Sequence, residues 1–252
     1  MVQEVGGRPA GTVQSLDRAL DLLETLAHAE GTLGVGELAD RTGLAPGTVH
    51  RLLQGLHARG FVRRDGSRRY SLGTGALQLA DAAQRALVRS ARPFLADLVR
   101  LSGETANLAV LEGDDVVYVG QVSSPHTLRM FAEVGRHVPP HSTAVGKVLL
   151  AALPRDRAAA LLRRTGLASR TSATITDPDA FAVELDRVRE RGWAVDEQEQ
   201  ETGVRCVAVP VGVPGRIVAA LSVSGPADRF AGAATDGLVE AMQQAGRELG
   251  AG

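Results

Sequence analysis

Hydrophobic positions recur at helical spacing three times over the first quarter of the chain and then switch to alternation. Leu16, Ala19, Leu20, Leu23, Leu26 and Ala27 stand three or four residues apart, which predicts an amphipathic helix with one buried face, capped by Ser15 and ending near Gly31. A shorter helix carries Val35, Leu38 and Ala39 and breaks at Thr42-Gly43-Leu44. A third opens at Pro46, a residue tolerated in a first turn because no N–H is needed there, and its apolar stripe is Val49, Leu52, Leu53 and Leu56. It stops at Gly60. Residues 61–64 and 69–72 then read as two short strands joined by a turn at Asp65-Gly66-Ser67. Three helices and a hairpin make a small domain over residues 12–74.

Residues 75–90 are Ala-rich and helix-prone but carry only a thin apolar stripe, which suits a linker helix. Pro93 is expected to restart a helix that runs through residue 101. Strands follow over 105–111 and 116–122, turning at Glu112-Gly113-Asp114-Asp115. Helices are predicted at 144–152, 155–164 and 178–191, strands at 206–213 and 217–223 about Pro214-Gly215, and a last helix from Thr235. Strands and helices mix without regular alternation. That predicts an α+β domain over residues 91–252, with an antiparallel sheet covered by helices.

A chain of 252 residues, 44% hydrophobic, can build two separate cores. Lys and Arg total 28 against 29 Asp and Glu, so overall charge decides nothing about nucleic acid, but the local distribution does. Six acids and one base lie between Asp17 and Asp40, whereas seven arginines and one acid lie between Arg41 and Arg69. This basic stretch is where phosphate would be held. Stepping 100° per residue from Val49 puts Gly47, Arg51 and Gln54 on the opposite side of the third helix, flanked by Thr48 and His50. Facing a major groove, Arg51 can pair with guanine O6 and N7, Gln54 with adenine, and Thr48 with a phosphate or a thymine methyl. Arg63, Arg64, Arg68 and Arg69 on the hairpin would flank them as a wing. A polar helix face by itself usually means only solvation; the acidic helix before it, the tight turn and the arginine hairpin after it make the combination specific.

Other chemistry is thinly represented. The single cysteine, Cys206, excludes an intramolecular disulfide framework and a cysteine-rich zinc site. Residues 1–12 lack the basic start and apolar run of a signal peptide, and no stretch reaches the roughly 20 apolar residues that span a bilayer, so a cytoplasmic protein is expected. Gly146-Lys147 lacks the glycine and hydroxyl residue of a phosphate loop, with His141 and Val148 in their places. Lys147, the sole lysine, is then read as a helix residue at a subunit contact. Ser222 and Ser224 lack the flanking glycines of a nucleophile elbow. His126, His137 and His141 have no regular ligand spacing and read as structural, so neither metal nor cofactor is expected. An enzyme or thiol redox sensor built on Cys206 remains the rival reading, although only Arg205 lies beside it and no histidine is placed to activate it.

Ordered segments from about Val13 to Leu249 resemble the IclR-type bacterial transcription regulators. They are Val13-Gln14-Ser15-Leu16-Asp17-Arg18-Ala19-Leu20, Thr48-Val49-His50-Arg51-Leu52-Leu53 and Gly60-Phe61-Val62, then His141-Ser142-Thr143-Ala144-Val145-Gly146-Lys147, Gly192-Trp193-Ala194-Val195-Asp196 and Ala219-Ala220-Leu221-Ser222-Val223-Ser224-Gly225-Pro226. The resemblance implies an N-terminal winged helix-turn-helix on double-stranded DNA, a linker helix with dimer contacts, and a C-terminal GAF-like effector-binding domain. Homodimers or dimers of dimers are implied too, acting more often as repressors than as activators.

It also implies a pocket for a small organic acid at Ala144, Val145, Asp196, Cys206, Ser222 and Ser224, with Met130 and Val138 as apolar wall. Those residue types make physical sense. Unpaired N–H groups at a helix start favour an anion, and alternate serines on one strand share a face that Cys206 on a neighbouring strand could join. Asp196 would accept from a ligand hydroxyl. The chain departs from the pattern at Val145, which is bulkier than the small residue expected there. A DNA-binding dimer without an effector is the remaining alternative.

Overall fold

The computed structural model describes residues 13–29, 31–127, 133–213, 215–230 and 234–251. Met130 lies outside them. Two compact units are present, residues 1–85 and 86–252.

In the first unit, α1 (Gln14–Ala27), α2 (Val35–Thr42) and α3 (Pro46–Ala58) precede a hairpin of β1 (Val62–Arg64) and β2 (Tyr70–Leu72). Gly43 takes a left-handed φ of 69°, which ends α2 and turns the chain into α3 at small cost because glycine has no Cβ. Leu22, Leu26, Leu38, Val49, Leu53, Val62 and Tyr70 form its core. Leu33 adds a bridge to Tyr70, tying the segment before α2 to the hairpin. Two details of α1 differ from the periodicity reading. Val13 rather than Ser15 is the N-cap, and no side chain caps the helix. Leu22, outside the predicted stripe, is fully buried, while Leu16 and Leu20 stay 58% and 47% exposed. The arc that meets α2 and α3 runs through Leu22, Leu23 and Leu26, so the outer leucines belong to a second apolar face.

α4 (Gly75–Ser102) runs unbroken, with Pro93 inside it instead of at a restart. A proline in a helix removes one hydrogen bond and costs about 3 kcal/mol. Burial of Ala91, Leu95 and Leu98 on the sheet beside it offsets that cost. The second unit is a six-stranded antiparallel sheet in the order β5-β4-β3-β8-β7-β6, from β3 (Thr105–Glu112), β4 (Asp115–Val122), β5 (His137–Val138), β6 (Ala194–Glu197), β7 (Val204–Val213) and β8 (Arg216–Pro226). β5 and β6 are edge strands too short to show alternation, so periodicity gives no sign of them. One face carries Leu108, Val209, Leu221 and Val223 against α4 and α8 (Ala234–Ala251). The other carries Ala109, Tyr118, Ala208 and Ala220 against α5 (Ala144–Ala152), α6 (Arg155–Thr165) and α7 (Pro178–Arg191). A Cβ on Gly146 would lie 2.1 Å from the Pro140 carbonyl oxygen, so only glycine lets the first turn of α5 sit so close to the incoming chain.

Candidate functional site

The first unit presents its basic residues outward. Gly47, His50, Arg51 and Gln54 are exposed on α3, opposite the buried Val49 and Leu53, and Thr48 is half-buried beside them. Arg63, Arg64 and Arg68 are exposed on the hairpin. Arg63 Nε donates to Ser71 Oγ at 2.8 Å, and the Arg64 guanidinium lies 5.9 Å from the Tyr70 ring centroid. The Asp65 carboxylate organises the tip by accepting from the N–H groups of Ser67 and Arg69 at 2.9 and 3.0 Å. Hydrogen bonds from the Ser67 hydroxyl and these N–H groups hold its carboxyl below the usual range. Arg69 departs from the wing reading. Its guanidinium donates to the Thr32 carbonyl at 2.7 Å and pairs with Glu37 at 2.8 Å, so it fastens the hairpin to the start of α2.

In the second unit the register brings distant residues onto one sheet face. Asp196 stands opposite Cys206, Cys206 opposite Ser224, and Asn107 opposite Ser222. Ser224 Oγ donates to Cys206 Sγ at 3.2 Å. All five side chains are buried. Ala144 and Val145 are fully buried at the start of α5, and Val138 is buried on β5; all three share a core cluster with Cys206. Thr143 satisfies the third and fourth N–H groups of that turn, accepting from Gly146 at 3.2 Å and from Lys147 at 3.0 Å. The N–H groups of Ala144 and Val145 find no protein acceptor among the described residues. Asn107 and its neighbour Gln121 join the site without having been expected there. A signal for Asn107 exists in the sequence: it is an uncharged polar residue of the same parity as Ala109, set among the apolar residues 106–111 of β3. A cleft of about 520 Å³ lined by α6 and α7 residues, among them Leu162 and Leu185, shares no residue with this polar face.

Electrostatics set the character of the site. Burial pushes Asp196 up to about 7 from 3.8, although its carboxylate accepts from the N–H groups of Glu199 and Gln200 at 2.6 and 3.2 Å. Burial pushes the Cys206 thiol up to about 12 and raises the Tyr118 phenol as well. Cys206 therefore stays a thiol at neutral pH, the wrong state for a nucleophile or a fast redox group. A stability consequence follows for Asp196. Between about pH 4 and pH 7 the folded chain keeps a proton that the unfolded chain has lost, so this group makes stability fall as pH rises through that window. Asp196→Asn, which still accepts both N–H bonds, is expected to flatten that decline in urea denaturation run at pH 4.5, 6 and 7.5. An identical decline in the variant would refute the assignment.

Lys147 lies inside its own unit, which corrects its placement at a subunit contact. It is 1% exposed. Its Nζ donates to the Val195 carbonyl at 2.9 Å and to Glu199 Oε1 at 2.5 Å. Thr171 and Thr174 hold the carbonyls of Gln198 and Glu199, each at 2.7 Å, and Gln198 adopts a left-handed φ of 61°. The loop that orients Asp196 is thus tied to α5 through a buried ion pair. His141 Nε2 lies 2.9 Å from the Ala168 carbonyl oxygen, and burial lowers its pKa. Among the described residues no group of three or more His, Cys, Asp or Glu side chains could hold a metal ion, and no helix is long and apolar enough to cross a membrane.

Comparison with known proteins agrees with this architecture. Residues 15–66 match the IclR helix-turn-helix domain, and residues 80–251 match the bacterial transcriptional regulator IclR C-terminal domain. The chain is 39% identical to the HTH-type transcriptional regulator BhcR of Paracoccus denitrificans, over 98% of this chain and 90% of that one. It is 37% identical to the transcriptional repressor IclR of Escherichia coli, over 87% and 82%. The crystal structure of the Thermotoga maritima IclR superposes with a TM-score of 0.63 at 29% identity, covering 93% of this chain and 96% of that one. These relatives are regulators and not enzymes, and with two family domains matched in order, the chain belongs to the IclR family of bacterial transcription regulators.

Proposed function

We propose that this regulator is a sequence-specific repressor, acting as a homodimer or dimer of dimers, whose grip on its operator is changed by a small organic acid. The observation that carries the sensing half is the buried polar face of Asp196, Cys206, Ser222 and Ser224 in the same core as the start of α5, where two N–H groups lack acceptors among the described residues. Such donors favour an anion. The reading half rests on Arg51, Gln54 and their neighbours exposed on α3. Two apolar surfaces support the dimer. Val13, Leu16 and Leu20 are exposed on or beside α1, and Leu77 and Leu79 are 68% and 60% exposed on α4, where residues 77–86 have no buried side chain. A lone helix stretch of that length is marginal in water, and a partner helix would cover it. The Cys206 enzyme reading loses ground because the thiol is held protonated.

Effector binding would shift operator affinity through a coupling of about 1–3 kcal/mol, a change of roughly 5- to 150-fold. The test is fluorescence anisotropy of the whole protein on DNA from upstream of its own gene and on scrambled DNA, at two salt concentrations, with and without pooled organic acids. Tight, selective binding that an acid shifts supports the proposal, and the salt dependence reports about 0.9 per phosphate contact. Selective binding that no acid alters points to the dimer without an effector. Equal, weak binding to both DNAs overturns the operator reading.

A further inference from the structure

Asn107 is fully buried on β3, at the centre of the polar face. Its Nδ2 lies 3.5 Å from both Ser222 Oγ and Ser224 Oγ. Its Oδ1 accepts from Gln121 Nε2 at 3.1 Å. An amide NH2 only donates, whereas a hydroxyl can donate and accept. With Gln121 holding Oδ1, the NH2 must face the serines, so both hydroxyl oxygens accept from it and direct their own hydrogens elsewhere. Ser224 already shows that direction, since its hydroxyl donates onward to Cys206 Sγ.

We infer that Asn107, oriented by Gln121, is a positioning residue that turns the two serines into hydrogen-bond donors and thereby makes the site prefer a carboxylate to the matching neutral amide. No Lys or Arg side chain hydrogen-bonds to Ser222, Ser224 or Asn107 among the described residues, so charge recognition falls to neutral donors. A carboxylate offers only acceptors and suits such a surface; a primary amide brings an NH2 that meets donors. At 3.5 Å these are weak hydrogen bonds that bias the direction of each hydroxyl, and a ligand carboxylate can draw the Ser222 hydrogen, or the Ser224 hydrogen away from Cys206. The carboxylate preference rests on the effector reading proposed above, but the direction of the hydrogen bonds does not.

Asn107→Asp keeps the shape and replaces the donor with an acceptor, so both serine hydroxyls turn back toward it. Two readouts on the full-length protein separate the possibilities. The first is the infrared S–H band of Cys206, the chain's sole cysteine, which needs no ligand. The second is calorimetric titration with propionate, lactate and benzoate, each beside its primary amide. In the variant the S–H band is expected to move, as Ser224 leaves the sulfur, and the acid-over-amide preference to fall by about tenfold or more. Gln121→Met, at a half-buried position, frees the amide to turn over and is expected to narrow the preference in the same direction, which covers the case in which the aspartate variant does not fold. If the wild type binds none of the acids, the effector reading falls and the band decides alone: a shift supports the inferred orientation, and an unmoved band overturns it. An unmoved band with unchanged preference in either folded variant overturns it too.

Discussion

Lys147→Ala is expected to destabilise the second unit by about 3–5 kcal/mol, because it leaves a carboxylate buried without its partner. For a unit of this size that lowers the melting temperature by roughly 10 °C. The pair is almost wholly withdrawn from water: side-chain exposure is 2% for Lys147 and 7% for Glu199, and Glu199 Oε2 has no hydrogen-bond partner among the described residues. Glu184 also lies 3.9 Å from Lys147 Nζ, but Arg191 pairs with it at 2.8 Å, so the loss of Lys147 falls mainly on Glu199. The damage should reach the proposed effector site as well. Lys147 holds the Val195 carbonyl, and the Glu199 N–H is one of the two that orient Asp196. Lys147→Met combined with Glu199→Gln removes both charges and should recover most of the lost stability. Thermal and urea unfolding of the three proteins decides the matter. A loss under about 1 kcal/mol for Lys147→Ala would place the pair among the weak, solvent-screened kind.

Arg51→Ala is expected to weaken operator binding by about 10- to 100-fold, roughly 1–3 kcal/mol, while binding to scrambled DNA changes little. Arg51 is exposed in the middle of the outward side of α3, with no protein partner for its guanidinium among the described residues. It is therefore free to form a bidentate pair with a base edge, and a base reader lost by mutation costs specific affinity far more than nonspecific affinity. Equal losses on operator and scrambled DNA would reassign Arg51 to the phosphate backbone. Arg69→Ala is the informative contrast. Its bonds to Thr32 and Glu37 tie the hairpin to α2, so its main effect should be on the stability of the first unit.

Much of the first unit is legible in the amino-acid sequence. α2 and α3 carry their apolar residues at helical spacing, Gly43 and Pro46 punctuate the turn between them, and the arginines cluster after Arg41, all within short stretches of chain. Local periodicity reports which side of a helix is apolar, and composition reports where charge sits. Neither reports which neighbours share the core. That is why spacing alone draws the stripe of α1 through Leu16 and Leu20 when Leu22 faces α2 and α3, and why Pro93 reads as a boundary although burial of its helix offsets the lost bond. In the second unit the residue types of the candidate site are visible as separate motifs, joined only by resemblance to a family. Tertiary structure decided the rest. Edge strands β5 and β6 exist because a neighbouring strand supplies their hydrogen bonds, Lys147 is interior because Glu199 meets it, and Asn107 faces Ser222 across 115 residues of chain because the register of β3 on β8 puts them side by side. Local spacing in the sequence determined the helices and their charge; register and burial, which depend on contacts between distant segments, determined the site.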